Sequence, residues 1–358
     1  MTRVAIAAGG TAGHVVPALA VADALRDRGA HVEFLGGERA EAELVPSAGY
    51  PFHPLRVAGL DRRNPLKAAR ALAWAGRATG RARRILRAVD ADIVLGGGGY
   101  VAAPAGLAAR SLGLPLVLTE ADSHLGVANR MLAPFAKRVF LAFDLPERKG
   151  AKWMVTGRPI PADILGADRT TARARFGIGD DRECLLVFGG SLGAWRLNEA
   201  AIEAFGRAAP CWVLHACGRR DYPELARRLD QLGRPEHYKL HAFITPFADA
   251  YAAADLAIAR AGGSVFELLA SGLPAVLVPY PHATADHQTR NAEHFERAGG
   301  AVVVPDSELE RAVDVARSLL ADDAKLAAMR EAMLGAARPD AAAEIAEELV
   351  QLAVAARR

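Results

Sequence analysis

The chain has few cysteines, and their spacing excludes two classes of small, cross-linked protein. Among its 358 residues there are three cysteines, Cys184, Cys211 and Cys217. No two of them form a CxxC pair and none has a histidine at metal-ligand spacing, so neither a disulfide framework nor a structural zinc site is expected. The sequence therefore predicts three buried thiols in a reducing compartment.

Long apolar runs are missing as well. His14, Pro17 and several glycines interrupt the apolar residues near the amino terminus, so no signal peptide is predicted, and no window has the length of a transmembrane helix. With 51% hydrophobic and 24% charged residues, the composition is that of a soluble α/β protein. We expect a protein that is made and kept in the cytosol, and the length predicts two domains.

A dinucleotide fingerprint is the third absence. The glycine turn at 189–194 reads GGSLGA, which is not GxGxxG, and no acid follows about twenty residues later, so a redox dinucleotide is a poor fit. No Asp-x-Asp pair lies beside a sugar-nucleotide loop either. We therefore expect no cofactor and no divalent metal.

Charge is unevenly spread along a chain whose net charge is +3. Asp61 is the only acid between Arg56 and Arg87, and on a helix five of the basic residues there share one stripe, with Trp74 among them. This stripe contains Lys67, Arg70, Arg77, Arg81 and Arg84, and the opposite one contains Ala68, Leu72, Ala75, Ala82 and Leu86. The basic face is either a solvated surface or a contact with anionic lipid.

Short apolar runs alternate with longer helical patterns in two series. Strands are predicted at 4–8, 31–35, 93–95, 116–119 and 139–142, and again at 184–188, 211–215, 240–243, 256–259, 275–279 and 301–304. Helical patterns follow at 17–28, 65–89, 101–112 and 126–133, then at 197–208, 223–232, 265–270 and 289–297, with a tail at 309–355. This alternation predicts an α/β fold of two Rossmann-like domains that face a cleft. We place them at 1–157 and 158–337, with a last helix at about 338–358 packed on the first domain.

The run GGTAGH at 9–14 joins the first predicted strand to a helix. Its glycines allow a sharp turn and a close approach to a bound group, and a helix amino terminus offers free N–H donors. His14 is then a titratable group at the mouth of an active site, or simply a cap on a tight turn. A second such turn, at 260–264, opens the helix that contains Glu267, which either accepts ribose hydroxyls or complements the helix dipole.

Seven blocks in order resemble the MurG family of bacterial peptidoglycan glycosyltransferases, over nearly the whole chain. They are GGTAGH at 9–14, LGGGGYVAAP at 95–104, TEADSHLGVANRMLA at 119–133, TGRPIPADI at 156–164, FGGSLGA at 188–194, RAGGSVFELLASGLP at 260–274 and PYPHATADHQTRNA at 279–292. The resemblance implies a GT-B architecture, with a lipid-linked acceptor on the first domain and UDP-N-acetylglucosamine on the second. It implies the product lipid II, and no nucleic-acid partner.

The resemblance also implies roles for particular residues. Ser191 would contact the donor phosphate, Ile244 would read uracil through its backbone, and Glu267 would hold the ribose. The other donor residues would be Arg260, Gly263, Ser264, Val265, Gln288 and Asn291, although Gln288 and Asn291 also fit polar caps of a helix. The acceptor and phosphate loops would contain Gly10, Thr11, Gly13, Gly98, Gly99, Tyr100 and Asn129.

Transfer to a hydroxyl requires a base, and three candidates stand in the first domain. His14 suits the role because an imidazole is partly neutral at cytosolic pH, and Glu120 and Asp122 are rival carboxylate bases. The chain departs from the family pattern at 119–122, at Pro161 where the family commonly has Arg, and at Leu192 where it has Gln.

A membrane-borne acceptor makes the basic helix a peripheral contact with the cytoplasmic face of the cell membrane, through anionic inner-leaflet lipids. Other proteins of cell-wall synthesis are candidate partners. Three alternatives stay open: a related GT-B transferase on another glycolipid, a UDP-N-acetylglucosamine hydrolase or epimerase, and a non-catalytic nucleotide-sugar binding protein.

Overall fold

Two α/β units make up the chain. The computed structural model describes residues 1–57, 65–190, 193–283 and 286–357, and within 65–73 it describes the backbone alone. The first unit comprises Met1–Pro161 together with Arg338–Arg358, and the second comprises Ala162–Ala337. Ser191, and the side chains of Lys67 and Arg70, lie outside the described residues.

The first unit is built on a parallel sheet, of seven strands in the described residues, in the order β3-β2-β1-β4-β5-β6-β7. Its strands are β1 (Arg3–Ala7), β2 (His31–Gly36), β3 (Phe52–Pro54), β4 (Ile93–Gly96), β5 (Leu116–Glu120), β6 (Arg138–Leu141) and β7 (Trp153–Val155). The central strands are buried on both faces, as parallel strands covered by helices must be. The strand order reverses between β1 and β4, which is where such folds bind ligands.

Six helices of the first unit lie in its described part. They are α1 (Ala12–Asp27), α2 (Ala40–Ser47), α3 (Pro65–Ala88), α4 (Ala102–Leu112), α5 (Val127–Leu132) and the last helix of the chain, Ala341–Ala356. The last helix contributes Ile345, Ala346, Leu349 and Ala353 to the same core as Val15, Ala18, Val21 and Leu25 of α1. The helix that carries His14 is therefore covered by the last helix of the chain.

The second unit repeats the plan with six parallel strands among the described residues, in the order β10-β9-β8-β11-β12-β13. They are β8 (Cys184–Phe188), β9 (Trp212–Ala216), β10 (Tyr238–His241), β11 (Leu256–Ala259), β12 (Ala275–Leu277) and β13 (Ala301–Val303). Its helices are α6 (Asp163–Gly166), α7 (Arg169–Phe176), α8 (Trp195–Phe205), α9 (Tyr222–Gln231), α10 (Ala248–Ala253), α11 (Val265–Ala270), α12 (His287–Arg297), α13 (Leu309–Leu320) and α14 (Asp323–Ala336); the last helix of the chain is α15.

The predicted two-domain α/β alternation is confirmed, and so are the three buried free thiols. The pattern missed β3 and β7, which have three residues each, and α2, which contains Pro46. It also missed α6, α7 and α10. The predicted tail at 309–355 is three helices, since Asp322 caps α14 through the Lys325 N–H at 2.9 Å and Pro339 precedes α15.

No helix in the described part of the chain is long and apolar enough to span a bilayer. In α3 the predicted stripes are seen where side chains are described: Ala82 and Leu86 are buried, and Arg77, Arg81 and Arg84 are exposed. Ala75, which we placed on the apolar stripe, is only partly buried.

Truncating Leu349 on α15 is expected to destabilise the first unit. Its side chain is fully buried against α1, so Leu349→Ala leaves a cavity and lowers the free energy of unfolding by about 2–5 kcal/mol. Urea unfolding monitored by circular dichroism measures this. Val354→Ala, an apolar truncation on the same helix at a side chain that is 42% exposed, is the control and should cost well under about 1 kcal/mol. Equal losses in the two variants would contradict the packing described for α15.

Candidate active site

The predicted amino-terminal turn forms at the carboxyl end of β1. Thr11, in extended conformation, precedes α1, and His14 lies in the first turn of that helix. The Nδ1 atom of His14 is 3.3 Å from the hydroxyl of Thr11. Gly10 has a φ of +110°, a backbone conformation that favours glycine.

A second glycine turn, after β4, meets the first. Gly98 and Gly99 both have positive φ, at +91° and +75°. A methyl group on Gly99 would lie 2.0 Å from the carbonyl oxygen of Gly9, and one on Gly98 would lie 2.6 Å from Cδ2 of His14. The imidazole therefore packs on the bare Cα of Gly98, and neither glycine tolerates a side chain.

Glu41, which the sequence did not single out, ties these turns together. This carboxylate is fully buried near the start of α2. It accepts the N–H of Gly10 at 2.9 Å, the N–H of Gly37 at 2.8 Å and the hydroxyl of Tyr100 at 3.3 Å. Burial and the Glu41 charge raise the pKa of Tyr100, so its phenol stays a donor. A buried acid must be satisfied in this way, and Glu41 thereby orders three loops.

The environment of His14 keeps its imidazole neutral. Burial lowers its pKa below the usual 6.5, and the positive charge of Arg158 lowers it further, while Asp122 and Glu41 act in the opposite direction. The Arg158 guanidinium donates to the carbonyl of Gly13, one residue before His14. Arg158 is a second residue that we did not nominate, although it stands in the quoted block at 156–164.

The carboxylate of Glu120 already accepts hydrogen bonds from neighbouring residues. At the end of β5, it accepts the N–H of Asp122 at 3.2 Å, the N–H of Gly126 at 2.8 Å and the Asn129 amide at 2.9 Å. Burial nevertheless raises its pKa, against these hydrogen bonds. Glu120 therefore orders the loop from 120 to 129 and is a weaker candidate base than His14.

These groups of the first unit converge on one pocket. His14, Glu120 and Arg158 line it together with Gly13, Gly97, Thr119, Phe140 and Ile345, among others. Close by, Asn129 is buried and donates to the Thr119 carbonyl at 2.9 Å, while its Oδ1 atom has no hydrogen-bond partner in the described residues. The arrangement offers a neutral base, a cation and a buried acceptor within one unit.

In the second unit the turn after β8 rests on a buried polar network. Gly193 has a φ of +76°, and a methyl group there would lie 2.7 Å from the Cys217 carbonyl oxygen. The Asn198 amide donates to that same carbonyl at 2.9 Å, and its oxygen lies 3.0 Å from Nε2 of His215. Burial lowers the pKa of His215 to about 3, so this network is uncharged at the imidazole.

The turn at 260–264 follows β11, and its helix carries Glu267. Gly263 and Ser264 are partly exposed, and Val265 is buried. Glu267 accepts the hydroxyl of Tyr251 at 2.8 Å. Burial and the Glu267 charge hold the pKa of Tyr251 well above its usual range, so the phenol remains a donor that orients the carboxylate.

Arg260 is a buried cation that is already paired. Its Nη2 atom lies 2.6 Å from Oδ1 of Asp306, and its Nη1 atom donates to the carbonyls of Val278 and Pro279 at 3.2 and 3.3 Å. The Tyr280 ring lies near the guanidinium, with the centroid 5.7 Å from Cζ. Arg260 thus fixes the segment after β12, and its predicted contact with a diphosphate remains a prediction.

Two residues of α12 join this segment. The side-chain oxygen of Gln288 accepts the Tyr280 N–H at 2.9 Å. Asn291 is buried and its amide donates to the Ala261 carbonyl at 3.4 Å, whereas its Oδ1 has no hydrogen-bond partner among the described residues. Arg260, Gln288 and Asn291 are therefore brought together, while Ile244 is buried in the segment after β10.

Comparison with known proteins identifies the family to which both units belong. Residues 4–141 match the glycosyltransferase family 28 N-terminal domain, and residues 184–345 match the glycosyltransferase family 28 C-terminal domain. A relative from Methylococcus capsulatus is 42% identical over 96% of this chain and 97% of its own, and one from Salinibacter ruber is 40% identical over 96% and 95%. Both are named UDP-N-acetylglucosamine--N-acetylmuramyl-(pentapeptide) pyrophosphoryl-undecaprenol N-acetylglucosamine transferase.

Among solved structures, the crystal structure of MurG from Acinetobacter baumannii has a TM-score of 0.76 and 29% identity, with 98% of this chain and 100% of that one covered. The two family 28 domains, the two Rossmann-like strand orders and the full-length relatives lead to one conclusion: the chain belongs to glycosyltransferase family 28 and, within it, to the MurG family.

Proposed function

We propose that the chain transfers N-acetylglucosamine from UDP-N-acetylglucosamine to the C4 hydroxyl of N-acetylmuramic acid in undecaprenyl-diphospho-N-acetylmuramoyl-pentapeptide, lipid I, giving lipid II. The observation that carries this proposal is the identity of 40–42% along nearly the whole length of relatives that bear that name. Transfer inverts the anomeric carbon: the C4 oxygen attacks it, its bond to the UDP oxygen breaks, and the hydroxyl proton passes to a base. Independence from divalent metal remains a prediction.

His14 is the base in this proposal. A buried, neutral imidazole accepts a proton, and the adjacent Asp122 and Glu41 charges offset the cost of forming an imidazolium beside Arg158. Glu120 and Asn129 act as positioning residues that order the acceptor loop, since Glu120 accepts two N–H groups from that loop and the Asn129 amide from α5. The unpartnered Oδ1 of Asn129 is an acceptor for a substrate hydroxyl or amide.

The second unit holds the donor in this proposal. Glu267, oriented by Tyr251, accepts the ribose hydroxyls. The Gln288 oxygen is taken by the Tyr280 N–H, which leaves the amide NH2 to donate to a sugar hydroxyl. The buried Oδ1 of Asn291 accepts from another hydroxyl.

The exposed arginines of α3 bring the enzyme to anionic lipid at the cytoplasmic face of the membrane, where the acceptor resides. Trp74 is partly buried, and the guanidinium of Arg77 lies 5.8 Å from its ring centroid. An interfacial tryptophan beside cations is typical of peripheral membrane helices.

Replacing His14 tests the base. His14→Ala is expected to lower kcat by about two to four orders of magnitude with the donor KM nearly unchanged, because the proton acceptor is lost and the donor residues are intact. UDP release that depends on a short-chain lipid I analogue measures this, and His31→Ala, at the amino end of β2, is a histidine-matched control. Turnover of His14→Ala near that of the wild type would remove His14 from the chemistry.

The pH profile tests the electrostatics of His14. A base must be neutral to act, so turnover falls as the pH drops through the His14 pKa, which lies below 6.5. Arg158→Gln removes a positive charge that lowers this pKa, so the acid limb of kcat should move to higher pH. Arg3→Gln, at the opposite end of β1, should leave the limb in place. If Arg158→Gln does not shift the acid limb, that limb reports the titration of a group other than His14.

Lipid binding tests the basic helix. Sedimentation with phosphatidylcholine vesicles should increase when phosphatidylglycerol is added and fade with salt, because exposed charges are screened. Arg77→Ala with Arg81→Ala should weaken binding about thirtyfold, since each cation near the surface contributes about 1 kcal/mol. Arg227→Ala with Arg234→Ala, two exposed arginines of the second unit, is the charge-matched control. Vesicle binding that is insensitive to salt, or equal losses of vesicle binding in the two double variants, would show that the basic face of α3 is only a solvated surface.

A further inference from the structure

A cationic pocket lies on the first unit, apart from the residues assigned above to the active site. Arg130 and Pro134 line it from α5 and the turn that follows. Arg148 and Lys152 line it from the segment before β7, and Trp153 lines it from the first position of that strand. Its volume is about 390 Å³, and its other lining residues are Leu125 and Ala133. No acid lines this pocket, and none of its three cations forms an ion pair within the described part of the chain.

The three cations are held in place without being neutralised. The Lys152 ammonium donates to the carbonyls of Ala133 and Pro134 at 3.0 and 3.4 Å, and Arg130 donates to the Leu125 carbonyl at 3.2 Å. The Arg148 guanidinium lies 5.3 Å from the centroid of the Trp153 ring, and its Nε atom is buried without a hydrogen-bond partner in the described residues. Cations in fixed positions with N–H groups still able to donate can bind the oxygens of a phosphate group.

The rim of this pocket is apolar and exposed. Val127, Met131 and Phe135 are 62%, 45% and 39% exposed, and they are spaced four residues apart along α5 and the turn after it. Only ten large apolar side chains are exposed among the described residues, and three of them fall in this nine-residue segment. Arg110 adds a cation, 3.4 Å from the centroid of the Phe135 ring.

The apolar stripe and the pocket are neighbouring faces of the same segment. Arg130 and Pro134 stand one residue before Met131 and Phe135, which on a helix corresponds to a rotation of about 100°. A free phosphate ion would need only the cations. A bilayer interface accounts for both faces, because apolar side chains enter the acyl boundary while cations contact the headgroup phosphates.

We propose that this pocket binds the phosphate of an anionic lipid headgroup while Val127, Met131 and Phe135 enter the bilayer interface. The proposal rests on the membrane association proposed above and adds a defined headgroup site to the diffuse charge of α3. It predicts selectivity for a phosphate-bearing anionic lipid, which a surface of solvated arginines would not give.

A pair of charge-matched double variants tests the pocket. Arg148→Ala with Lys152→Ala removes two cations from the pocket, and Lys137→Ala with Lys149→Ala removes two exposed cations nearby that do not line it. On vesicles of phosphatidylcholine and phosphatidylglycerol, the pocket variant should bind about tenfold more weakly than the wild type, and the control no more than about threefold more weakly. Melting temperatures check that both variants are folded. Equal weakening would reduce the effect to bulk charge and overturn the proposal.

Two further experiments test the apolar rim and distinguish a lipid headgroup phosphate from a free phosphate ion. Val127→Ser with Met131→Ser should weaken vesicle binding with no change in net charge, and unchanged binding would exclude insertion. Calorimetry with inorganic phosphate tests for a site for the free ion. Tight phosphate binding that the pocket variant abolishes, with its vesicle binding intact, would overturn the lipid assignment.

Acceptor-dependent UDP release by the wild type on a water-soluble, short-chain acceptor, in the absence of vesicles, reports the proposed transfer independently. A failure of the proposed function is thus distinguishable from a failure of the lipid pocket.

Discussion

The contact between two glycine turns, at the carboxyl ends of β1 and β4, is the constraint on which the proposed chemistry depends. Gly99 packs against the Gly9 carbonyl and Gly98 packs against His14, with no room for a Cβ atom at either position. Because β1 and β4 are neighbours in the sheet, this contact brings together residues that are more than eighty positions apart in the chain. The imidazole has a defined surface to lie on, and its lowered pKa follows from that burial.

Buried carboxylates, rather than loop packing alone, keep these turns in shape. Glu41 accepts backbone N–H groups from two loops and the phenol of Tyr100. Glu120 accepts two N–H groups from the loop that follows β5 and the Asn129 amide of α5. A short polar loop at a sheet edge has little apolar surface with which to order itself. Charge-assisted hydrogen bonds to one central acceptor supply that order, and they leave the glycine backbone close to any ligand.

Sequence reasoning found the features whose signal is local. The turn at 9–14, the turn at 260–264 and the amphipathic α3 each lie within a short window, and β8, β11 and α11 begin and end where the pattern predicted them. Elements of few residues gave too little periodicity, as with β3 and β7, and α7 is rich in arginine with no clear apolar stripe. Glu41 and Arg158 went unnoticed for a different reason. Gly10 lies 31 residues from Glu41 and Gly13 lies 145 residues from Arg158, so only the folded sheet brings these side chains to the first glycine turn.

The path of the chain has a consequence for biosynthesis. Because α15 returns to the unit in which the chain began, the second unit is an insertion between two parts of the first. A ribosome therefore releases every residue of the second unit before it releases the helix that covers α1. Domains fold as units during synthesis, so the second unit can complete its core on the ribosome. The first unit cannot, and the helix bearing His14 keeps an uncovered apolar face until α15 has been synthesised.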